Sequence, residues 1–331
     1  MVREAHGRNM KLEVVMTLGP ASTENAVIER LARTADRFRL NAAHLNRVGL
    51  GQWLDRLEDV FARAGQRIPV VIDLQGAKMR VGAMPTVSEL PPEVRLIFSA
   101  QPTTTADIIG LPHAELFEQV GEGEELSLND GKVRLRIESV DGDEICARVV
   151  KNGPLSSFKG INRPDHPITL NALSAADLGR IEVGDAYAFV EYAFSFAAKG
   201  RDAALLREKT HRRVTAKIEL REAADCVADL DAKFDELWLC RGDLGEQVGI
   251  GQLGLVQHKF SKQIPSLKRP AFLAGQVLEH MTHFEQPTRS EVVHLFDVEQ
   301  AGYAGVVLSD ETAVGRNPTA VADLLDFLRQ R

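Results

Sequence analysis

Cysteine is scarce in this chain. Cys146, Cys226 and Cys240 are the full set, an odd number with no CxxC spacing, which excludes a disulfide framework and a thiolate-rich zinc site. No run of 18 apolar residues occurs, and the first ten residues are polar and mixed in charge, so neither a membrane span nor an export signal is expected. A basic excess is absent too: the net charge is −7, which excludes a dedicated nucleic-acid or membrane-surface binder. A site for a phosphorylated metabolite stays open, since it needs only a few cations. What is present, 44% hydrophobic and 26% charged residues, is ordinary globular composition. A cytoplasmic protein with a large core is expected.

Short apolar, β-rich runs alternate with amphipathic helical stretches, the pattern of parallel βα units. The runs are Glu13–Leu18, Phe38–Ala42, Val70–Leu74, Tyr187–Tyr192, Thr215–Glu219, Glu236–Arg241, Ala271–Gly275 and Gly305–Ser309. Helical patterns between them include Thr23–Ala35, Gln52–Ala64, Asp202–Arg212, Arg221–Phe234 and Thr288–Gln300, and a last one opens with Asn317 as cap and Pro318 in the first turn. The third and fourth runs are separated by a long stretch that opens with prolines and continues in hairpin-like strands around Asn129-Asp130-Gly131 and Asp141-Gly142-Asp143. Removing residues 83–166 leaves about the 250 residues that one eight-stranded α/β barrel uses. The sequence therefore predicts a (β/α)8 barrel over 1–82 and 167–331, with a β-rich domain, 83–166, inserted after strand 3.

Active sites of such barrels gather at the C-terminal ends of the strands. Arg39 and Asn41 end the second run, Asp73 the third, Lys217 and Glu219 the fifth, Arg241 and Asp243 follow the sixth, and Ser309 and Glu311 the eighth. Side chains two apart in a strand share a face, so Lys217 and Glu219 are presented together. Glu219 and Asp243, on neighbouring strands, suit a Mg²⁺ or Mn²⁺ ion whose remaining positions are filled by water and substrate oxygens. Arg39, Arg80 and Lys217 supply positive charge for an anionic substrate. Three cations converging on two acids point to phosphate or carboxylate chemistry. An ion-pair network that merely satisfies itself at the barrel rim is the structural alternative.

These residues also carry a resemblance. Leu18-Gly19-Pro20-Ala21-Ser22, Arg39-Leu40-Asn41, Asp73 through Arg80, Asn129-Asp130-Gly131, Lys159-Gly160-Ile161-Asn162, Ala216-Lys217-Ile218-Glu219, Arg241-Gly242-Asp243-Leu244-Gly245, Pro287-Thr288-Arg289 and Leu308 through Ala313 follow one another as in the pyruvate kinase family, which the chain resembles over nearly all its length. The resemblance implies a TIM barrel with a lid inserted after strand 3, and the family's C-terminal regulatory domain is expected to be absent. It implies metal ligation by Glu219 and Asp243, a catalytic Lys217 at the transferring phosphoryl group, and Arg39 and Arg80 around the phosphates. Lys159 matches the lid lysine that reaches the nucleotide, with Asn41, His44 and Gly242 as further binding positions. The implied ligands are phosphoenolpyruvate or pyruvate and a nucleotide, and a homo-oligomer through barrel contacts is expected. Potassium is expected to be dispensable: the monovalent-ion region holds Asn41 and Asp73, but Ala43 lacks a side-chain ligand and Lys78 replaces the family's glutamate.

Other departures matter. The family's threonine before Gln276 is Gly275, so the hydroxyl implicated in protonating the enolate is missing, and restoring it by Gly275→Thr is expected to raise pyruvate formation. Leu74-Gln75 replaces Thr-Lys, Leu220 replaces an asparagine, and the fourth run is read as ending in Glu191-Tyr192 instead of Ser-Phe, putting a new carboxylate near the mouth. The leading expectation is phosphotransfer between phosphoenolpyruvate and a nucleoside diphosphate. A metal-dependent pyruvate-enolate lyase, a 2-oxo acid decarboxylase or aldolase, and a pseudoenzyme are the alternatives. The Gly249-to-Gly254 stretch fits GxGxxG but follows no strand directly, and is read as a loop. His280 and His283 are read as helix positions, not as a metal pair.

Overall fold

The structure, a computed structural model, describes residues 10–76, 79–129, 131–163 and 173–330. These divide into two compact units: one takes in the described residues up to Gly76, Leu173–Leu244 and the described residues from Gly251 on, and the other the described residues between 79 and 163, together with Gly245–Ile250.

In the first unit, eight parallel strands close into a barrel among the described residues. They are β1 (Glu13–Leu18), β2 (Arg37–Asn41), β3 (Val70–Leu74), β4 (Val190–Phe194), β5 (Val214–Ile218), β6 (Glu236–Cys240), β7 (Ala271–Ala274) and β8 (Gly305–Leu308). Each pairs with its sequence neighbour, and β8 returns to β1 with Glu13 opposite Gly305. The strands are buried on both faces, which is why they read as nearly unbroken apolar runs. The helices between them follow from caps and periodicity. Helix Arg47–Ala64 starts where the Asn46 side chain accepts from the Gly49 amide at 2.8 Å, buries Leu50, Leu54, Leu57 and Phe61 along one face, and stops at Gly65, whose φ of +65° is left-handed. The predicted helix over Arg221–Phe234 is instead two pieces, Arg221–Asp225 and Val227–Lys233, because Cys226 leaves helical geometry.

The barrel interior is layered. At the bottom, Arg37 pairs with Glu236 at 2.8 Å, Glu13 at 3.4 Å and Glu191 at 3.5 Å, and its guanidinium lies 4.7 Å over the Phe272 ring. Above it is an apolar layer containing Val15, Val71, Ala193, Trp238, Phe272 and Val307. The polar mouth lies above that.

The second unit holds, among its described residues, a seven-stranded sheet ordered Met79–Arg80, Gly160–Asn162, Glu125–Leu128, Val133–Asp141, Glu144–Lys151, Glu93–Phe98, Ile108–Leu111. The hairpin strands read from sequence pair antiparallel, and Leu96, Leu126, Leu135 and Ile145 build a core of their own. Strands Glu93–Phe98 and Ile108–Leu111, and helix Ala114–Gln119, were not legible in the Pro-containing stretch.

Two local expectations are corrected. The GxGxxG stretch is not a loop: Gly251 and Gly254 lie inside helix Ile250–Gln263, preceded by Gly249 at φ +79°. Strand β4 begins three residues later than read, so Glu191 sits near its start, in the bottom layer against Arg37. The residues that leave the strand at the mouth are Ser195 and Phe196, and no new carboxylate is added there by Glu191.

Candidate active site

Lys217 is the centre of the mouth. It is 7% exposed, on the last turn of the β5 pleat, and its ammonium lies 2.8 Å from Glu219 Oε1, 3.1 Å from Asp73 Oδ2 and 2.8 Å from Ser195 Oγ, to which it donates. Burial by itself would lower the Lys217 ammonium; Asp73 and Glu219 outweigh it and hold the group above its ordinary value. Asp73 is met from the other side by Arg39, which donates from Nε at 2.8 Å and Nη2 at 2.5 Å to the same oxygen. Arg39 Nη1 donates to Thr17 Oγ1 at 3.0 Å. Burial would raise the Asp73 carboxyl, but Lys217 and Arg39 together keep it below the usual carboxylate range. Two cations are thus oriented by one carboxylate.

Glu219 is 1% exposed, and its Oε2 accepts from the Phe196 amide at 2.7 Å, an amide turned toward it by the left-handed Phe196 (φ +57°). Glu219, Lys217 and Arg39 line a cavity of about 120 Å³ together with Gly242, Asp243, Cys240 and Gly275. Asp243 reaches it from the first turn of helix Arg241–Val248. Among the described residues no group of three or more metal-ligating side chains forms a complete cage. Two carboxylates on one cavity wall with no softer free ligand fit a hard divalent cation that keeps water or ligand oxygens; the Cys240 thiol is pushed up by burial and by Glu219, so it stays protonated.

Arg39 also lines a second, larger cavity of about 710 Å³, with Asn41, His44, Trp53, Pro20 and Ser309. Arg39 and Ser309 line both spaces. The structure therefore brings Arg39, Asp73, Lys217, Glu219, Gly242 and Asp243 together, and gathers Asn41 and His44 beside them. Arg80 and Lys159 belong to the second unit. There, Arg80 lies opposite Gly160 in the sheet, donates from Nη1 to the Phe158 carbonyl at 2.8 Å, and is held by its amide on His113 Nε2 at 3.0 Å. Lys159 is exposed and its carbonyl accepts from Val81 at 2.9 Å. Lys78 lies outside the described residues.

Comparison with known proteins agrees with the barrel fold. The family model for the pyruvate kinase barrel domain matches residues 9–321. The chain belongs to the pyruvate kinase family. A pyruvate kinase from Methylorubrum extorquens is 31% identical over 329 residues, covering 98% of this chain and 69% of the relative. Pyruvate kinases from Agrobacterium vitis and Mycobacterium intracellulare are each 30% identical, over 98% and 93% of this chain and 69% and 67% of their own lengths.

Within the family frame, sequence reasoning missed Ser195 and Thr17, which hold Lys217 and Arg39. A two-residue shift in β4 hid the first, and Thr17 carries no charge to draw notice. Gly275 has a structural reason for being glycine: φ is +87° there and +53° at Gln276. A Cβ at 275 would stand 3.4 Å from the Gly242 amide nitrogen, ordinary contact, so the obstacle to a side chain is the backbone and not the space. A β-branched threonine strains this turn, and Gly275→Thr does not simply restore a hydroxyl. Glu311, polar at a strand end, is fully buried and ties loops together, accepting from Leu278 at 2.9 Å and Ser309 at 2.7 Å. No described helix is long and apolar enough to cross a membrane.

Proposed function

We propose that this chain transfers a phosphoryl group between phosphoenolpyruvate and a nucleoside diphosphate, giving pyruvate and a nucleoside triphosphate in the cytoplasm. The observation that carries the reading is a shared residue: Arg39 lines both the small cavity with Lys217 and the carboxylates and the larger one with Asn41 and His44. A group passed between two ligands needs cations at their junction, because phosphoryl transfer is catalysed by in-line positioning and neutralisation of equatorial oxygens. Lys217 and Arg39 neutralise that charge and are held ready by Asp73. Glu219 and Asp243 are the residues that would hold Mg²⁺ or Mn²⁺, which supplies Lewis-acid charge stabilisation when bound. Arg80, on strand Met79–Arg80, and Lys159, just before strand Gly160–Asn162, bring further positive charge in the second unit; we assign the inserted β-rich domain, 83–166, as a lid domain and 1–82 with 167–331 as the barrel. A coupled assay with phosphoenolpyruvate, Mg²⁺ and several nucleoside diphosphates tests this. Turnover abolished by Lys217→Met and Glu219→Gln supports it; no turnover with any nucleotide overturns it.

A pyruvate-enolate lyase or 2-oxo acid decarboxylase is favoured by one observation, the turn at Gly275 that leaves the cavity rim without a side chain. Release of CO₂ or an aldehyde from 2-oxo acids with Mg²⁺ alone, unaffected by nucleotide, distinguishes it.

A further inference from the structure

Arg241 opens its helix, yet its side chain reaches back across the barrel rim. Nε and Nη2 donate to the Gly275 carbonyl at 2.9 and 2.6 Å, and Nη2 also to the Gln276 carbonyl at 2.8 Å. These are the two consecutive residues at positive φ. One side chain therefore staples the turn after β7 to the segment after β6 that carries Gly242 and Asp243 into the 120 Å³ cavity. Its remaining contact is Nη1 to His294 Nε2, 2.9 Å away on helix Arg289–Gln300.

A guanidinium can only donate, so His294 Nε2 must carry a lone pair and the imidazole must be neutral, with its proton on Nδ1. A protonated His294 has donors on both nitrogens and a charge of the same sign as the group it faces. Asp297, one turn along its own helix, is the acid that reaches His294. Around Arg241 stand Glu311, after β8, and Tyr303, whose phenol is pushed up to about 12 by burial and remains neutral. Burial first, then Arg241, lowers the His294 imidazole below its ordinary value, so the contact is intact at neutral pH and fails in acid.

We propose that His294 is a positioning residue for this site: its neutral imidazole holds Arg241 on the Gly275–Gln276 turn, and protonation releases that clamp. The clamp stands on geometry alone. Only its effect on substrate rests on the phosphotransfer reading.

The test is NMR on the full chain, following the His294 ring and hydrogen exchange at Arg241 Nε–H, the proton given to the Gly275 carbonyl. In the wild type, the open fraction of the clamp should grow about tenfold per pH unit as pH falls towards the His294 titration point, the slope of one coupled proton, and level off below it. His294→Gln keeps a neutral acceptor, so it should preserve protection and flatten that slope; His294→Leu should lose protection at every pH. Arg241→Met should raise the His294 titration point. With phosphoenolpyruvate as substrate, KM should rise in acid in the wild type and not in His294→Gln. An unchanged slope in His294→Gln, or full protection in His294→Leu with the fold intact by circular dichroism, overturns the proposal. Absence of turnover with intact NMR behaviour removes the phosphotransfer reading and leaves the clamp standing.

Discussion

At the scale of single residues, the mouth is a chain of charges in which each member orients the next. Lys217 stands between two buried carboxylates, so Lys217→Met takes an ion-pair partner from both Asp73 and Glu219 and should cost about 3–5 kcal/mol of stability, besides removing activity. Urea denaturation at neutral pH measures it; a loss under about 1 kcal/mol would mean the pair is effectively solvated. Asp73 bears on the monovalent ion as well. Its carboxylate already meets Arg39 and Lys217, and a further cation beside those two is repelled. With Lys78 adding another ammonium by the sequence argument, rates should be equal in sodium, potassium and tetramethylammonium salts at matched ionic strength. Strong activation by potassium contradicts this.

Elements decide what those residues can do. The turn after β7 needs glycine at 275 because of its left-handed backbone, and Gly275→Ala should destabilise by about 1–2 kcal/mol, read from the shift in the urea midpoint. No shift would show that the turn relaxes freely. The bottom layer offers a pH test. Burial raises the Glu191 carboxyl above its ordinary value, with Arg37 and Arg213 opposing. A group whose folded value is raised contributes stability that is present below its unfolded value, about 4.3, and is lost as pH rises through the folded one. Relative to Glu191→Gln, the wild type should therefore lose stability as pH increases from the acid side, and parallel stability curves would contradict that assignment.

For the whole molecule, the two compact units pose the question of motion. Arg80 and Lys159 belong to the second unit, while Lys217 and Arg39 belong to the barrel. If the insertion is a lid, ligand binding should shorten the distance between spin labels placed on exposed positions of the two units, measured with and without Mg²⁺, nucleotide and oxalate. Identical distance distributions would sink closure. The flanking segment around His166–Ile168, read from sequence as half of the hinge, lies outside the described residues.

The barrel was legible because its signal is local: apolar runs at regular spacing, Asn and Thr caps, and turn residues at fixed offsets, all properties of neighbouring residues. Lys217 with Glu219 could be foreseen because period two puts them on one face. Residue order alone also carried the family's motifs. The rest depends on register and on distant partners. Residues 186–198 around β4 are apolar apart from Glu191 and Ser195, so the sequence fits more than one frame, and only pairing with β3, Val190 opposite Val70, decides that Glu191 goes to the bottom layer and Ser195 to the mouth. The strands of the insertion between residues 93 and 111 were missed because partners such as Glu144–Lys151 lie tens of residues away. His294 and Arg241, 53 residues apart in the chain, meet only because the parallel pairing of β6 with β7 brings the helix after β7 beside the start of the helix after β6.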